Sequence, residues 1–313
     1  MQALAKELEQ QFGSGLKLSL SVSAKELTTF KLGGLVPLLL EPSSTDALSE
    51  LIFTLNKKGQ SWRVIGQGSN VVISDSGLSD VVVKLSNTSV SNINPEEVNL
   101  ESGSCLSRMF LAGEPLIKLS RVTANEGLSG LEFAAGIPGS IGGAVAMNAG
   151  AHDSSISDIF EKAWICNGQG DILEKTKEDL DFTYRDCKLE SDEIVIAAQF
   201  KFEKKDPKDI KEKRKSCLDY RTKTQPLQMP SAGSVFTNPD ADNGIYAAKL
   251  LEEAGFKGKA SHGVEFSKMH ANWLVKVGDE ALSQGVFDLI DEASDHILST
   301  KNICLNPEIK SWS

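Results

Sequence analysis

Two glycine-rich stretches hold the first residues in this chain whose types and spacing suit chemistry. In "GIPGSIGGAVAMNAGAH", Gly136 to His152, five glycines interrupt an otherwise apolar run. Glycine inside an element costs roughly 0.5–1 kcal/mol relative to alanine. A flexible linker would carry serine and other polar residues in place of Ile137, Ile141, Val145 and Met147. Such a stretch lets the backbone lie against a ligand without Cβ clashes, and Gly136, Gly139, Ser140, Gly142 and Gly143 are the candidates. The other stretch is "VIGQGSNVVIS" (64–74), placed directly after a strand pattern. Its Gly66, Gln67, Gly68, Ser69 and Asn70 can turn several backbone N–H groups toward one anion, as a nest does. Two anion cradles suit a single diphosphate. Taken singly, each loop also reads as a tight turn that packs closely.

Neither stretch is a familiar nucleotide loop. Gly66 and Gly68 make a G-x-G, but Val71 stands where a dinucleotide fingerprint has its third glycine, and a strand follows in place of a helix. No G-x-x-x-x-G-K-[ST] is present. The net charge of -10 argues against nucleic acid, whose phosphates need a basic face. Five scattered cysteines, with no C-x-x-C pair, read as reduced thiols and leave no metal site. "MQALAKELEQQFG" reads as an amphipathic helix without the apolar core of a signal peptide. No run of about 18 apolar residues exists to span a membrane, so a cytoplasmic protein is expected.

The elements that must position these loops can be read from periodicity. The length of 313 residues and 40% hydrophobic content allow two or three domains. "VPLLLEP" (36–42) is a strand; Thr45 or Asp46 caps a helix with Ala47, Leu48, Leu51, Ile52 and Leu55 on one face, stopped by Gly59. "WRVIG" (62–66), "NVVIS" (70–74) and "VVVKL" (81–85) follow as β runs of one small α/β unit. From about 97 to 205 short strands and glycine turns dominate, such as "IVIAAQFKF" (194–202), with one helix near 107–126. The charged segment 204–226 fits a helix with Ile210, Arg214, Cys217, Leu218 and Arg221 on one face, its Lys/Arg run facing solvent. Beyond Pro226 come a helix through Ala247, Leu250, Leu251 and Ala254, a strand in "ANWLVKV" (271–277), and a helix from Leu282 to Ile297 capped by Asp279.

Seven segments, in order, resemble the UDP-N-acetylenolpyruvoylglucosamine reductase family of flavoenzymes in peptidoglycan precursor synthesis. They are "TTFKLGG" (28–34), "GQGSNVVISDSG" (66–77), "GLSGLEFAAGIPGSIGGAVAMNAGAH" (127–152), "FTYRD" (182–186), "QPLQMPSAGSVFTNP" (225–239), "HANW" (270–273) and "NPEI" (306–309). The resemblance implies an α+β chain: a two-part FAD-binding domain of the vanillyl-alcohol-oxidase (PCMH) type plus a C-terminal α+β substrate-binding domain. The implied boundaries are 1–85 and 86–205 for the two flavin subdomains and 206–313 for the substrate domain, the last residues packing back on the flavin domain. FAD is expected to be non-covalent, with NADPH as co-substrate. The implied partners are small molecules, with no nucleic acid, no membrane and a monomeric chain.

The family reduces the enolpyruvyl double bond of a UDP-sugar, with hydride carried from NADPH through the flavin to C3. Charge then develops at C2 and spreads into the neighbouring carboxylate. That chemistry needs a cation on the carboxylate, a donor at the developing enolate and a proton for C2. By resemblance, Arg185 of "TYRD" is the carboxylate grip, since a guanidinium binds bidentately and keeps its charge. Ser234 of "AGSVF" is the proton donor. Glu308 of "NPEI" assists the enolate, protonated because burial raises its pKa. Alone, these three read as a surface ion pair with Asp186 or Asp181, a turn serine and a stray carboxylate. Asn238 matches the asparagine that holds UDP, and Arg221 and Lys223 lie where the family meets phosphate. Thr237 stands where many members have lysine, and His270 reads as structural. The chain lacks the tyrosine-bearing insertion of the longer family form. Two rivals share the features: another oxidoreductase of this flavin-domain type, which would lack "PSAGSVF" and the terminal "PE", and a non-catalytic flavin or nucleotide-sugar binder, which would have lost Arg185, Ser234 or Glu308.

Overall fold

The computed structural model describes residues 1–86, 100–102 and 104–313; the expected start of the second flavin subdomain, 87–99, lies outside them. The described chain is α+β and divides into two compact units with interleaved segments. The first holds Met1–Ser21, Pro37–Gln67 and Asp80–Asp219; the second holds Val22–Val36, Gly68–Ser79 and Tyr220–Ser313.

A four-stranded sheet, in the first unit except for residues 22–23 and 35–36, runs in the order Leu16–Ser23, Leu35–Pro42, Val81–Lys84, Trp62–Ile65. The Val81–Lys84 strand is parallel to both of its neighbours. The Thr45–Lys57 helix buries Leu48, Leu51, Ile52 and Leu55 in the same core as Leu38, Leu40, Val81 and Val83. Side chains three and four apart share one helix face, which is why this spacing predicted the element. Its cap is Ser44, whose hydroxyl accepts from Ala47 N–H at 3.2 Å, one residue ahead of the expected Thr45 or Asp46.

A second, antiparallel sheet in this unit has Ile194–Lys204 at its centre, between Phe160–Cys166 and Cys105–Leu111. The expected helix near 107–126 is therefore a strand followed by a shorter helix, Leu116–Asn125. Ser107 and Met109, two apart in "CLSRMFL", are buried on one face of the strand and Phe110 is buried on the other; the strand ends at Leu111, and Pro115 stands at the cap of the helix.

The second unit carries an antiparallel sheet in the order Ser231–Ser234, Trp273–Lys276, Val264–Phe266, Ala260–Ser261, packed with the helices Ala247–Glu253 and Gln284–Lys301 around Phe236, Phe256, Phe266 and Leu289. The expected boundary at 206 falls instead inside the Pro207–Thr224 helix, between Asp219 and Tyr220. The expected first subdomain, 1–85, is also split. "NVVIS" does not join the sheet of its sequence neighbours: Val71–Ile73 pairs in parallel with Lys310–Trp312 near the C-terminus. Hydrogen bonds from Gly34 N–H to Ser74 O and from Leu78 N–H to Leu35 O bind 22–36 to 68–79 in the same unit. The long helix is not capped by Asp279. Its first amides, Ser283 and Gln284, both donate to the Asp75 carboxylate at 3.0 Å. An acidic group at a helix start offsets the partial positive charge there.

All five cysteines are free. Burial pushes the Cys166 thiol up to about 11, and burial with the Asp186 charge pushes Cys187 up to about 12. Both stay protonated at neutral pH and act as small apolar core groups.

Candidate active site

Within the first unit, the two glycine stretches approach each other. A Cβ at Gly66 would overlap Ser140 Oγ, so glycine at 66 is what lets the loops close on one another. The stretch that resisted assignment contains a six-residue helix, Ile141–Ala146, whose Ser140 cap accepts weakly from Gly143 N–H at 3.4 Å. The amides of Ile141 and Gly142 donate to Glu114 O and Ala112 O at 2.9 Å, so these two N–H groups tie the loop down. Gly136 and Gly139 have φ of 79° and 132°, a region L side chains rarely enter. Glycine at these two positions is a backbone requirement whatever binds there.

Gly143 is different. It is exposed, and an added Cβ would meet only Ser140 Oγ, at an ordinary 3.5 Å. Beside it a cavity of about 170 Å³ is lined by Gly66, Ser140, Gly142 and Gly143 and walled by apolar Val64 and Val195. Glu193 also lines it, held by an ion pair to Lys175 Nζ at 2.7 Å. A larger groove of about 360 Å³, between Arg108, Gly127, Lys205 and Pro207, holds none of the expected site residues.

Arg185 belongs to this unit and sits at the tip of a tight turn. Thr183 N–H donates to Asp186 O at 3.0 Å, and the return bond is 3.4 Å. Arg185 has φ of 63°. Its Nη2 donates to Gly150 O at 2.7 Å, and its guanidinium lies 5.0 Å from the Tyr184 ring centroid. His152 and Asp153, both with positive φ, form the two-residue turn of the hairpin that begins at Gly150.

In the second unit, segments far apart in sequence converge. Thr29 of "TTFKLGG" donates its hydroxyl to Ser231 O at 2.7 Å, across 202 residues, and its N–H to Gly68 O at 3.1 Å. A Cβ at Gly68 would overlap Leu27 O, so this glycine serves packing. Asn70 Nδ2 donates to Glu308 O at 3.0 Å, across 238 residues, and Asn70 O accepts from Lys310 N–H at 2.9 Å. Glu308 N–H in turn donates to Val235 O at 2.8 Å, and Thr237 N–H to Asn306 O at 3.0 Å. Ser234 and Glu308 are thereby carried on two chain segments joined by backbone bonds one residue from Ser234. Both side chains are half-buried.

The remaining expected residues are less concentrated. Asn238 Oδ1 accepts from Ala247 N–H at 3.2 Å, at the start of a helix. Arg221 is buried and Lys223 exposed, two positions apart on the Pro207–Thr224 helix, so they face different sides. Gln67 is exposed, and Ser69 half-buried beside it. Thr237 donates its hydroxyl to Asn306 O at 3.3 Å. His270 Nδ1 accepts from Asn272 N–H at 3.3 Å, and burial, then the Lys257 charge, lowers its pKa.

Two buried asparagines were not singled out by the sequence reading. Asn272 accepts from Phe236 N–H at 3.0 Å and donates to Phe236 O at 2.8 Å, clamping the strand end after Ser234. Asn148 lies behind the Arg185 turn. The available signal was an amide set among small and apolar residues, "MNA" and "ANW". A buried amide must find partners, and the nearest unpaired groups are turn backbones.

Among the described residues, no group of His, Cys, Asp and Glu is placed to hold a metal, and no helix is long and apolar enough to cross a membrane.

Comparison with known proteins places this geometry. Residues 36–175 match the model of an FAD binding domain, and 225–312 that of the UDP-N-acetylenolpyruvoylglucosamine reductase C-terminal domain. A protein named UDP-N-acetylenolpyruvoylglucosamine reductase from Halalkalibacterium halodurans is 41% identical over 284 residues, 90% of either chain. One of the same name from Bacillus subtilis is 39% identical over 293 residues, again 90% of either chain. The crystal structure of that reductase from Thermus caldophilus superposes with a TM-score of 0.77 at 27% identity, covering 95% of this chain and 99% of the other.

Proposed function

The chain belongs to the UDP-N-acetylenolpyruvoylglucosamine reductase family, and from that premise we propose that it reduces UDP-N-acetylglucosamine enolpyruvate to UDP-N-acetylmuramate, with NADPH as reductant and non-covalent FAD, in peptidoglycan precursor synthesis. Its FAD binding domain is the 36–175 match. The residues present fit such a group: Gly143 offers uncovered backbone beside a cavity with apolar walls, where a side chain would fill the space. Gly66, Gln67, Gly68, Ser69 and Asn70, with Gly136, Gly139, Ser140, Gly142 and Gly143, are the residues assigned to hold it. Bound there, FAD would supply the hydride-transfer chemistry of the reduction, with NADPH as the source of the hydride.

The protein's own work is to manage the charge and proton that follow. Arg185 grips the substrate carboxylate, into which charge from C2 spreads. A guanidinium suits this because it stays charged and presents paired donors. Glu308, protonated, donates a hydrogen bond to the enolate oxygen; an ionised carboxylate would repel it. Ser234 delivers the proton to C2, completing addition of H⁻ and H⁺ across the double bond. Asn238, Arg221 and Lys223 hold the UDP moiety. The observation that carries the reading is the backbone join of Glu308 to Val235, with Asn70 clamping Glu308 from the first glycine loop. It supports Ser234 and Glu308 acting on one reacting group. The monomer and the cytoplasm complete the proposal; the five free cysteines suit a reducing compartment.

The test is product formation. Purified protein reconstituted with FAD and supplied with NADPH should convert the enolpyruvyl substrate to a product heavier by two hydrogens, seen by mass spectrometry, and acid should release the flavin as free FAD. NADPH consumption without that product would overturn the reading in favour of another flavin oxidoreductase. Failure to bind FAD would overturn the enzyme reading altogether.

A further inference from the structure

The arginine turn is held in a conformation it would not choose. Arg185 has φ of 63°, and the left-handed region costs a non-glycine residue roughly 1–2 kcal/mol. Such a conformation persists only where the surroundings over-determine it. Two groups from one three-residue stretch do this. Asn148 Nδ2 donates to Thr183 O at 2.8 Å, fixing the entry to the turn. Gly150 O accepts from Arg185 Nη2 at 2.7 Å, fixing the end of its side chain. A Cβ at Gly150 would stand 3.0 Å from Arg185 Nη1 and 2.6 Å from Ser154 O, so glycine makes room for the guanidinium.

Asn148 is itself fixed. It is 6% exposed, and its Oδ1 accepts from Ser157 N–H at 3.0 Å, which sets the amide so that Nδ2 faces Thr183. It lies two residues beyond the Ile141–Ala146 helix that carries Gly142 and Gly143 at the cavity. One short piece of backbone therefore bears the expected flavin loop at its start and the seat of Arg185 at its end.

We propose that Asn148 is a positioning residue for the reduction of the enolpyruvyl substrate: it holds the Tyr184–Arg185 turn so that the guanidinium is set in place before substrate arrives. This rests on the reading of Arg185 as the carboxylate grip. Releasing the turn lets Arg185 leave the left-handed region and lose its fixed direction, and misplacement by about 1 Å costs up to roughly 10²-fold in rate. NADPH carries no enolpyruvyl carboxylate, so its reaction with the flavin does not need this arginine.

The experiment uses the FAD-loaded full chain, with Asn148→Ala, Asn148→Asp, Arg185→Ala and the double variant Asn148→Ala/Arg185→Ala. Stopped-flow absorbance follows reduction by NADPH and reoxidation by the enolpyruvyl substrate separately. Expected for Asn148→Ala are reduction by NADPH at the wild-type rate, reoxidation slowed by about 10- to 100-fold, a raised KM for the enolpyruvyl substrate and an unchanged KM for NADPH. Asn148→Asp keeps an acceptor for Ser157 N–H and sets an acceptor oxygen against Thr183 O in place of the donor, so it too releases the turn and should show the same split. In the Arg185→Ala background, Asn148→Ala should add no further loss, because both act through one group. Normal reoxidation in Asn148→Ala while Arg185→Ala is slow overturns the inference alone. Normal reoxidation in Arg185→Ala overturns the arginine reading and the inference with it. Equal slowing of both half-reactions, additive losses in the double variant, or loss of flavin from both Asn148 variants makes Asn148 a general structural residue and overturns the inference.

Discussion

Replacing Gly143 by alanine should move the stability of the flavin-free protein and its affinity for FAD in opposite directions. Gly143 lies in the Ile141–Ala146 helix, and the added Cβ meets nothing closer than Ser140 Oγ at 3.5 Å. Helix propensity alone favours alanine by up to about 1 kcal/mol. Unfolding entropy of about 2.1 cal/mol/K per residue, over the whole chain, turns that into a rise in Tm of about 1–2 °C. If the FAD diphosphate lies on this backbone, the same methyl intrudes where nothing can relax around it. Overpacking of that kind costs about 1–3 kcal/mol, or about a 5- to 150-fold weaker Kd. The assay is thermal unfolding of the apoprotein by circular dichroism beside FAD titration by flavin fluorescence. An unchanged Kd with an intact apoprotein refutes the close-approach reading of this loop. Gly139 is unsuitable for the test, because at φ of 132° any side chain strains the fold with or without flavin.

Gly66→Ala should give the contrasting result, lowering apoprotein stability because its Cβ overlaps Ser140 Oγ; an unchanged melting curve would show that the two loops do not pack as described. Asn272→Ala removes both bonds to Phe236 and leaves buried backbone groups unpaired, so urea denaturation should show a loss of about 2–4 kcal/mol, about 1–2 per bond. His270 has a folded pKa below the ordinary value of about 6.5, owing to burial and then Lys257. Its neutral form is favoured by folding, so its contribution is present above the unfolded pKa and lost as pH falls through the folded one. The urea midpoint should therefore drop between pH 7 and pH 5, and drop less in His270→Asn.

Local elements were legible where one face is buried. The Thr45–Lys57 helix and the Leu35–Pro42 strand follow from apolar spacing because Leu48, Leu51, Ile52 and Leu55 pack on Leu38 and Leu40 within one unit. Pairing across long stretches was not legible. Nothing in "NVVIS" says that its partner is Lys310–Trp312, since strand propensity carries no address. The cap of the last helix was missed for the same reason: Asp75 stands 208 residues before Ser283. The roles proposed for Arg185, Ser234 and Glu308 rest on the ordered motifs around them, since their residue types alone assign none. The amides that hold these segments, Asn70, Asn148 and Asn272, carry no periodic signal because each bonds backbone in another segment of the chain. The glycines divide by cause. Gly68 and Gly139 answer to packing and to φ, whereas Gly143 alone among these three is left open to a ligand.

The central claim is that Ser234 supplies the proton to C2 after hydride has arrived, and separating the two half-reactions in Ser234→Ala tests it most directly. The substitution removes one hydroxyl, at a strand end whose backbone stays bonded through Val235 to Asn272 and Glu308. Reduction of the flavin by NADPH needs no proton at C2 and should proceed at close to the wild-type rate. Reoxidation by UDP-N-acetylglucosamine enolpyruvate should slow by about 10²–10⁴-fold, the usual loss for a general acid or base, which is about 3–5 kcal/mol of barrier. Slow reoxidation after normal reduction is the predicted result. Reoxidation at the wild-type rate, or equal slowing of both steps, would contradict it.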